Sequence, residues 1–520
     1  MATGRGLIVR QHIVQQRRPI PGPTHEMEFP SVSPKVFSQT SQQPKPLLKK
    51  LQAPNPLTQT SQDKKGRTTN VAKKHSCKRS SYIEGLPSEI ILKIFSYLDV
   101  SSLLCIGSAN RRFSQISKDN SLWCRVYSSS NYLKHTCWKP KAVQLVTEDL
   151  SVCTLQEKPA GYWKSSYMNK ILESRASRIS QILKSVKYIM GIPANIENAV
   201  RMAGLCWVIS FTDTSGSEQF IEQMETLFTH SSLTLTWGCL QWPSLKSVTK
   251  LKLQGITPMC LKTFMLTAKP GPQKRSLIAE YDLMDLQSSK SIGHDRHVNL
   301  LHLRPGLLLG VWQKDKEIAF VMATIHFHQI LERSTLGFSD RPYTIPIHTP
   351  LLDDLDPNYG LHGYQLHIDM HNGLRTYFCG TFRNLFCKKE YIRNGYLRLS
   401  AIGINDRMKH APLVGKVGLA WNNITFQGNI QTCFLMDVTV LDEAEKPFWC
   451  ISSPVNLQAS HSSESVCDFM GQSFFLNYMD QEGKVKAELL WMNETEEYYI
   501  VNLVLYLSTQ KVNSWFGTKY

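Results

Sequence analysis

The sequence predicts an α+β protein with a disordered basic N-terminal arm, a short helical bundle, a helical linker and a large antiparallel β-rich, sandwich-like domain. Three observations support this class. Lys and Arg crowd residues 1–80, and apolar residues then recur at helical spacing as far as residue 203. After Gly204 the apolar period changes to two, with turn residues at short intervals. Consecutive antiparallel strands on this scale are typical of sandwiches or curled sheets. Whether 204–520 forms one subdomain or two is left open.

Residues 1–80 are expected to form a disordered basic arm. They hold 15 Lys and Arg against 3 Asp and Glu, and 9 of the 25 Pro, with no Trp or Tyr. Such a segment cannot bury enough apolar surface to offset the entropy lost on ordering. Its last basic residues, from Lys64 to Arg79, fit a nuclear-import or nucleic-acid-contacting cluster, and equally a solvated tail.

The remaining composition narrows the class of protein. No apolar run approaches the ~18 residues that cross a bilayer, and the N-terminus lacks the apolar core of a secretory signal. The 13 Cys are odd in number and include no CxxC pair, which indicates neither a disulfide framework nor a zinc site. We therefore expect reduced thiols, no membrane insertion and a cytoplasmic or nuclear location.

Residues 81–128 predict a bundle of short helices. The first begins at Leu86-Pro87, because proline has no N–H to lose in a first helical turn, and ends near Asp99. A cap at Asp99 or Ser101 starts the second helix, and the third begins at Asn110 or Arg111. Further apolar residues mark the second, third and fourth helices: Leu103, Leu104, Ile106, Phe113, Ile116, Leu122, Trp123 and Val126.

A looser helical pattern continues through 129–203 and predicts the linker. Trp163, Tyr167 and Ile171 recur at intervals of four. Pro193 is expected to open a further short helix, since proline is well placed at a first helical position.

The first helix of the bundle has an apolar face wider than its own core requires. On a helical wheel only Ser88, Glu89, Lys93 and Ser96 face water, which leaves an apolar arc of about 180°. A helix that lies on its own core normally needs an arc of about 100°. Some forty residues without disulfides or metal are also too few for a self-sufficient core. The surplus predicts a partner on another polypeptide.

This segment resembles an F-box over roughly 46 contiguous residues. Mild departures occur at Ser108-Ala109-Asn110 and at Phe113, where the family commonly has other residues. The matching features are Leu86-Pro87-x-Glu89-Ile90, then Ile94-Phe95-Ser96-Tyr97-Leu98-Asp99, the Leu103-Leu104 pair, Arg111-Arg112-Phe113 and Leu122-Trp123. The absence of WD and leucine-rich repeats places the resemblance in the F-box-only class.

The resemblance implies docking on the Skp-type adaptor of a cullin-RING ubiquitin ligase, and through it on the cullin scaffold and the RING subunit. The chain would then be a non-enzymatic substrate receptor for a target protein, with the linker as a spacer and no cofactor. Two alternatives stay open: a nucleic-acid-associated protein that uses the basic arm, and an adaptor-bound scaffold without a ligase role. The implied adaptor-binding residues are Leu86, Pro87, Ile90, Ile91, Ile94, Phe95, Leu98, Leu103, Leu104 and Trp123.

Residues 204–520 predict strands joined by tight turns. Apolar and polar residues alternate over Tyr364–His371, then Asn372-Gly373 and a second β-rich run follow. Asn-Gly between such runs is a strong hairpin signal, because both central residues take positive φ. Asn394-Gly395 repeats the signal, and further runs are predicted at Val485–Trp491 and Tyr498–Leu507.

Candidate chemistry in this region is sparse. His367, Asp369 and His371 share one face of a predicted strand, and His326 and His328 form a second pair, which are residue types that bind transition metals. An alternating polar face also arises when a half-buried strand turns one side to water, so no metal is expected. The sequence contains none of the common catalytic motifs in a suitable context. Cys379 and Cys387 are interpreted as small core residues rather than nucleophiles.

Overall fold

The computed structural model describes residues 82–135, 158–187, 189–259, 272–284, 286, 291–350, 356–460 and 471–520. The chain divides between Lys78 and Arg79 into two units, and everything described below belongs to the second, Arg79–Tyr520. The predicted basic arm lies outside the described residues. Among the described helices, none has the combination of length and apolar character that a bilayer crossing needs.

Four helices form the N-terminal bundle: α1 (Ser88–Phe95), α2 (Val100–Ile106), α3 (Arg111–Ile116) and α4 (Asn120–His135). The predicted starts of α2 and α3 are confirmed, whereas α1 begins at Ser88 with Pro87 as its cap and ends at Phe95 rather than near Asp99. The Asp99 carboxylate accepts the Ser102 N–H at 3.3 Å before α2, and the Asn110 side chain accepts the Phe113 N–H at 2.7 Å before α3. Side-chain caps of this kind satisfy amide groups that have no partner within the helix.

The linker contains α5 (Tyr162–Leu183), the paired strands β1 (Val186–Lys187) and β2 (Ile192–Pro193), and α6 (Ile196–Ala203). The predicted short helix is present, but its start at Pro193 is wrong, because the helix begins at Ile196. Pro193 pairs with Val186, and the Ala194 N–H donates to the Ser185 carbonyl at 2.8 Å, so the chain stays extended until Asn195. Residues 136–157 lie outside the described part of the linker.

The β-rich region contains four main sheets, and every pairing among the described strands is antiparallel. Sheet I has the order β4 (Glu218–Glu222), β3 (Cys206–Asp213), β7 (Val248–Pro258), β8 (Gln273–Asp282). Sheet II has the order β5 (Glu225–Phe228), β6 (Ser232–Trp237), β12 (Ile318–His326), β11 (Leu307–Trp312), β10 (Val298–Leu303), β9 (Ser291–His294).

Sheet III has the order β14 (Thr376–Leu385), β13 (Tyr364–His371), β19 (Cys433–Leu441), β20 (Pro447–Asn456). Sheet IV has the order β15 (Tyr396–Ile402), β24 (Glu497–Ser508), β23 (Gly483–Met492), β22 (Gln472–Met479), β21 (Gln458–Ala459), and β16 (Ala411–Leu413) also pairs with β24. A separate ribbon joins β17 (Gly418–Asn422) to β18 (Gln427–Gln431), and the helices α7 (Phe327–Thr335) and α8 (Thr509–Phe516) follow β12 and β24.

Apolar side chains hold the sheets together in two sandwiches that share a central interface. Sheets I and II enclose one core, with Trp207, Leu253 and Leu235 among its members. Sheets III and IV enclose the other, which includes Ile368 and Leu503. Because successive residues of a strand point to opposite faces, β12 and β13 each contribute one face to a core and the other to the interface between sheets II and III.

Helix α7 lies directly on sheet I. Gly255 of β7 has no side chain where the Ser334 backbone of α7 packs, and a Cβ there would collide with that backbone. The Trp207 indole donates to Ser334 Oγ at 3.0 Å and fixes the helix at the same place. The same helix carries Arg333.

Both predicted hairpin signals lie at turns. Strands β13 and β14 pair across Asn372-Gly373, but only Gly373 takes positive φ, because the Asn372 side chain closes a wider turn by accepting the Leu374 and Arg375 N–H groups. The expectation of two positive φ values is therefore wrong here. At Asn394-Gly395 both residues have positive φ, as predicted.

Candidate functional site

Helix α1 presents two apolar faces with different surroundings. Ile91 and Phe95 are 0% and 1% exposed, whereas Ile90 and Ile94 are 50% and 38% exposed. Tyr97, just after the helix, is 78% exposed, and Pro87 before it is exposed. Large aliphatic and aromatic side chains that remain in water on one side of a short helix form an unpartnered surface. We call Pro87, Ile90, Ile94 and Tyr97 the α1 face.

The other side of α1 belongs to a closed core. The Phe95 and Phe113 rings meet edge to face at 5.7 Å, and Trp123 lies 5.6 Å from the Tyr167 ring of α5. The Trp123 indole is fully buried and donates to the Ser117 carbonyl at 2.6 Å. The bundle thus completes its core with α5 of the same chain. Only the exposed half of the apolar arc is left for the predicted partner on another polypeptide.

The β-rich region touches the bundle at its edge. Met259, just past β7, packs against the bundle core, and Arg175 of α5 donates to the Pro258 carbonyl at 2.8 Å. Within the described residues these contacts lie on the α5 side of the core. The sheets therefore leave the α1 face open to a partner.

The sequence-predicted adaptor residues fall into three groups. Leu86 and Leu98 are half-buried against the bundle core. Pro87, Ile90 and Ile94 lie together on the α1 face. The buried residues of the set contribute to the bundle core instead of its surface: Ile91, Phe95, Leu103, Leu104 and Trp123. These five buried side chains support the residues of the α1 face but do not themselves reach the surface.

Tyr97 lies on the α1 face but was not among the predicted adaptor residues. The helical wheel already placed it in one quadrant with Ile90 and Ile94, so the signal was present in the sequence. Arg112 explains the basic residue of the motif, since its guanidinium donates to the Glu84 and Leu86 carbonyls and holds the segment that enters α1. The motif therefore combines surface residues with residues that position them.

Replacing Trp123 by Ala is expected to destabilise the bundle by about 3–5 kcal/mol, the usual cost of removing a large buried aromatic side chain. The free energy of local opening, measured by hydrogen exchange of the α1–α4 amides, checks this. Tyr97→Ala is the matched control, because its ring lies in water, and it should leave exchange unchanged. Equal protection in Trp123→Ala and the native chain would contradict the packing described.

A second cluster of candidate residues lies between sheets II and III. Asp369 and Asp437 are register partners on β13 and β19, and they share the interface with His371. One ligand atom from each of the three lies within 4.8 Å of the others, and all three residues are buried. The expectation that this face of β13 turns to water is wrong, because sheet II covers it.

The hydrogen bonds of this cluster describe a buried pair rather than a set of metal ligands. The Gly373 N–H donates to His371 Nδ1 at 3.0 Å, so the ring proton lies on Nε2, which donates to Asp437 Oδ2 at 2.9 Å. A metal on Nε2 would need the proton on Nδ1, where it would face the Gly373 N–H. The absence of a bound metal therefore stays our prediction.

Burial sets the pKa of Asp369, whereas His371 sets the pKa of Asp437. Burial raises the pKa of Asp369 to about 7. His371 acts to lower this pKa, and the charge of Asp437 acts to raise it further. For Asp437 burial acts in the same direction, but the interaction with His371, including the hydrogen bond from Nε2, outweighs burial and lowers the pKa. Neither Asp369 oxygen has a hydrogen-bond partner among the described residues.

In the part of the chain that the structure describes, the other sequence-predicted candidates, His326, His367, Cys379 and Cys387, do not form a reactive site. Burial lowers the pKa of His326 to about 3 and that of His367 to about 4, so both rings are neutral. Cys387 is buried, as predicted, but Cys379 is exposed, with Sγ 4.0 Å from His367 Nε2. Desolvation raises the pKa of both thiols, which disfavours the nucleophilic thiolate.

Comparison with known proteins finds a family match in the same residues that form the helical bundle. Residues 83–129 match the F-box-like family model, which defines the chain as one that contains an F-box. F-box only protein 15 of Homo sapiens is 46% identical over 441 residues, which cover 85% of this chain and 86% of the relative. The Mus musculus protein of that name is 40% identical over 436 residues, covering 83% and 100%. The chain therefore belongs to the family of F-box only protein 15.

A more distant relative shares less of the chain. F-box/LRR-repeat protein 5 of Salmo salar is 25% identical over 281 residues, which cover 46% of this chain and 39% of the relative. The similarity to F-box only protein 15 extends far beyond the bundle, so the β-rich region belongs to the family as well as the F-box.

Proposed function

We propose that the chain is the substrate-recognition subunit of an SCF-type cullin-RING ubiquitin ligase, with the α1 face as its docking surface for the Skp-type adaptor. The observation that carries the proposal is the exposure of Ile90, Ile94 and Tyr97 beside a fully closed core. Burial of these side chains by a partner would remove apolar surface from water, which is the main driving force of association. Leu86 and Leu98 border the same surface.

The proposed mechanism is positional. A receptor of this kind does no bond chemistry of its own; it holds a target protein near a recruited conjugating enzyme and raises the effective concentration of the acceptor lysine. We assign adaptor binding to residues 81–128, spacing to 129–203 and target recognition to 204–520. The cullin and the RING subunit would join through the adaptor.

Helix α5 is suited to the spacing role because both of its ends are packed. Tyr167 and Met168, near its N-terminus, belong to the bundle core, and Ile179 and Leu183, near its C-terminus, pack against the core of sheets I and II. Its 22 residues span roughly 33 Å at 1.5 Å per residue. A helix held at both ends preserves the angle between an adaptor and a target.

The proposal is tested by reconstitution. The full chain, co-expressed with the Skp-type adaptor, is expected to elute with it as one complex in size-exclusion chromatography. Addition of the cullin, the RING subunit, ubiquitin and the conjugating enzymes should then ubiquitylate proteins that co-purify with the chain.

The two assays separate the proposal from its alternatives. Failure to bind the adaptor would reject the docking role. Adaptor binding without ubiquitylation would indicate a scaffold. Salt-sensitive binding of DNA or RNA, in place of adaptor binding, would favour the role of the basic arm in nucleic-acid association.

A further inference from the structure

A deep cleft opens where the two sandwiches meet. Its volume is about 720 Å³, and strands of all four sheets contribute to its wall, together with α7. Binding sites occur preferentially at such junctions between packed units. The cleft lies in the β-rich region, and its lining differs from that of the α1 face because charged groups point into it.

Arg333 of α7 is the central charge of the cleft. Its guanidinium is largely withdrawn from water, and the structure gives it no hydrogen bond or ion pair among the described residues. Desolvation lowers its pKa from the ordinary value, with the charge of Glu482 acting against that shift. A cation in this situation is costly to the folded chain until an anion joins it.

The acidic residues of the cleft are already engaged. Asp480 accepts the Glu482 and Gly483 N–H groups at 2.8 Å, and its other oxygen accepts the Trp449 indole and the Tyr478 hydroxyl at 3.1 Å. Glu482 forms an ion pair with Lys511 at 2.9 Å. Neither carboxylate forms an ion pair with Arg333 among the described residues. Because Lys511 neutralises Glu482, the positive charges of Arg304 and Arg333 face the single negative charge of Asp480 in the cleft lining.

Other lining groups also lack partners. His302 Nε2 and Thr324 Oγ1 are buried in the cleft wall and make no hydrogen bond within the described chain. Burial lowers the pKa of His302 to about 4, so its ring is neutral and adds no charge. Buried polar atoms without partners are uncommon in folded proteins and call for a ligand or water.

One part of the rim of the cleft is apolar. Ile345 and Met479 each line it and remain 52% exposed. A carboxylate bound inside would therefore bring its neighbouring residues against exposed aliphatic side chains. Arg304 lines the same cleft and is exposed, which adds a second positive charge at the mouth.

We propose that this cleft binds an acidic side chain of a peptide segment, held by Arg333 and flanked by an apolar residue on the Ile345–Met479 rim. The proposal rests on the proposed function, since it assigns the peptide to the target protein. The planar guanidinium can bind a carboxylate or a phosphate through two parallel hydrogen bonds. The shared chemistry is an oxyanion, and glutamate and phosphoserine are its two sources in a peptide.

Selection from a phage-displayed library of random twelve-residue peptides on the full chain is the test. Recovered peptides are expected to share an Asp or Glu beside a large apolar residue. A fluorescein-labelled copy of the most frequent peptide is then compared with its Glu→Gln or Asp→Asn twin and with a phosphoserine twin by anisotropy. The amide twin should bind roughly tenfold or more weakly, and the phosphoserine twin identifies which oxyanion is preferred.

Arg333→Gln should weaken the acidic peptide roughly tenfold or more, while the amide twin binds both chains equally. Arg341→Gln is the matched control, because its side chain is 76% exposed beside Asp340, and it should change affinity less than about twofold. The midpoint of thermal unfolding of Arg333→Gln should equal or exceed that of the native chain, since no partner is lost.

Three results would overturn the proposal: no enriched peptide, enriched peptides without an acid, or equal binding of the acidic peptide to Arg333→Gln. A large drop in the unfolding midpoint of Arg333→Gln would likewise contradict it, because Arg333 would then support the fold. Adaptor binding is measured in the same preparations. Acid-selective binding without adaptor binding leaves the cleft standing and rejects the ligase role, and the converse rejects the cleft alone.

Discussion

Replacing Ile90 and Ile94 together by Glu is expected to weaken adaptor binding roughly 100-fold or more and to leave the fold intact. Both side chains face water in the free chain, so the charges cost little before binding. In the complex each carboxylate would be buried in an apolar interface, and each lost anchor at an interface centre costs about 2 kcal/mol or more. Calorimetric titration of the purified adaptor into the full chain measures the change.

Ile424→Glu is the control for this pair. Ile424 is 53% exposed in the turn between β17 and β18, so it matches the substitution and the exposure at a site outside the bundle. It should leave adaptor affinity within about twofold, and all variants should unfold at the native midpoint. Native affinity in the double variant would remove the α1 face from the docking role.

Replacing Asp369 by Asn is expected to raise the stability of the chain at pH 8. The pKa of Asp369 is about 7 in the folded chain and 3.8 ordinarily, so the folded state holds this proton more tightly than the unfolded state. Stability from this group is present below about pH 4 and is lost as the pH rises through about 7. At pH 8 the native chain carries a buried charge that the Asn variant lacks. This charge lowers the free energy of unfolding of the native chain by an amount on the order of a few kcal/mol.

Thermal unfolding midpoints measured from pH 4 to pH 8 in EDTA check this sign. The difference between Asp369→Asn and the native chain should grow in favour of the variant up to about pH 7 and then level off. Asp340→Asn is the control, because the Asp340 side chain is 72% exposed, and its curve should follow the native one. A parallel curve for Asp369→Asn would mean that another group titrates in this range.

Local signals in the sequence predicted much of the fold. The caps at Asp99 and Asn110 could be predicted because Asp and Asn side chains hydrogen-bond to the first backbone N–H groups of a helix. The two Asn-Gly pairs could be predicted as turns because their signal also depends only on neighbouring residues. The wheel of α1 correctly showed an apolar surplus. It could not show which half α5 would cover, because the contact between Trp123 and Tyr167 joins residues far apart in the chain.

The parts that escaped prediction depend on long-range register. Asp369 faces Asp437 because β13 pairs with β19, its neighbour in sheet III. The two strands lie far apart in the sequence, and no local pattern encodes their alignment. The polar face of β13 resembles a solvent-exposed one until sheet II is placed over it. Arg333 is an ordinary cation of an amphipathic helix in the sequence, and its isolation emerges only where four sheets converge.

The contact between Trp123 and Tyr167 means that the F-box of this chain is not an exchangeable module. A segment cut at residue 128 would carry the indole of Trp123 without the ring that covers it, and would also lose Met168 from the same core. Transplanting the motif to another receptor would therefore require α5 to travel with it. The F-box and the helix proposed as its spacer therefore share one core and form a single packed unit.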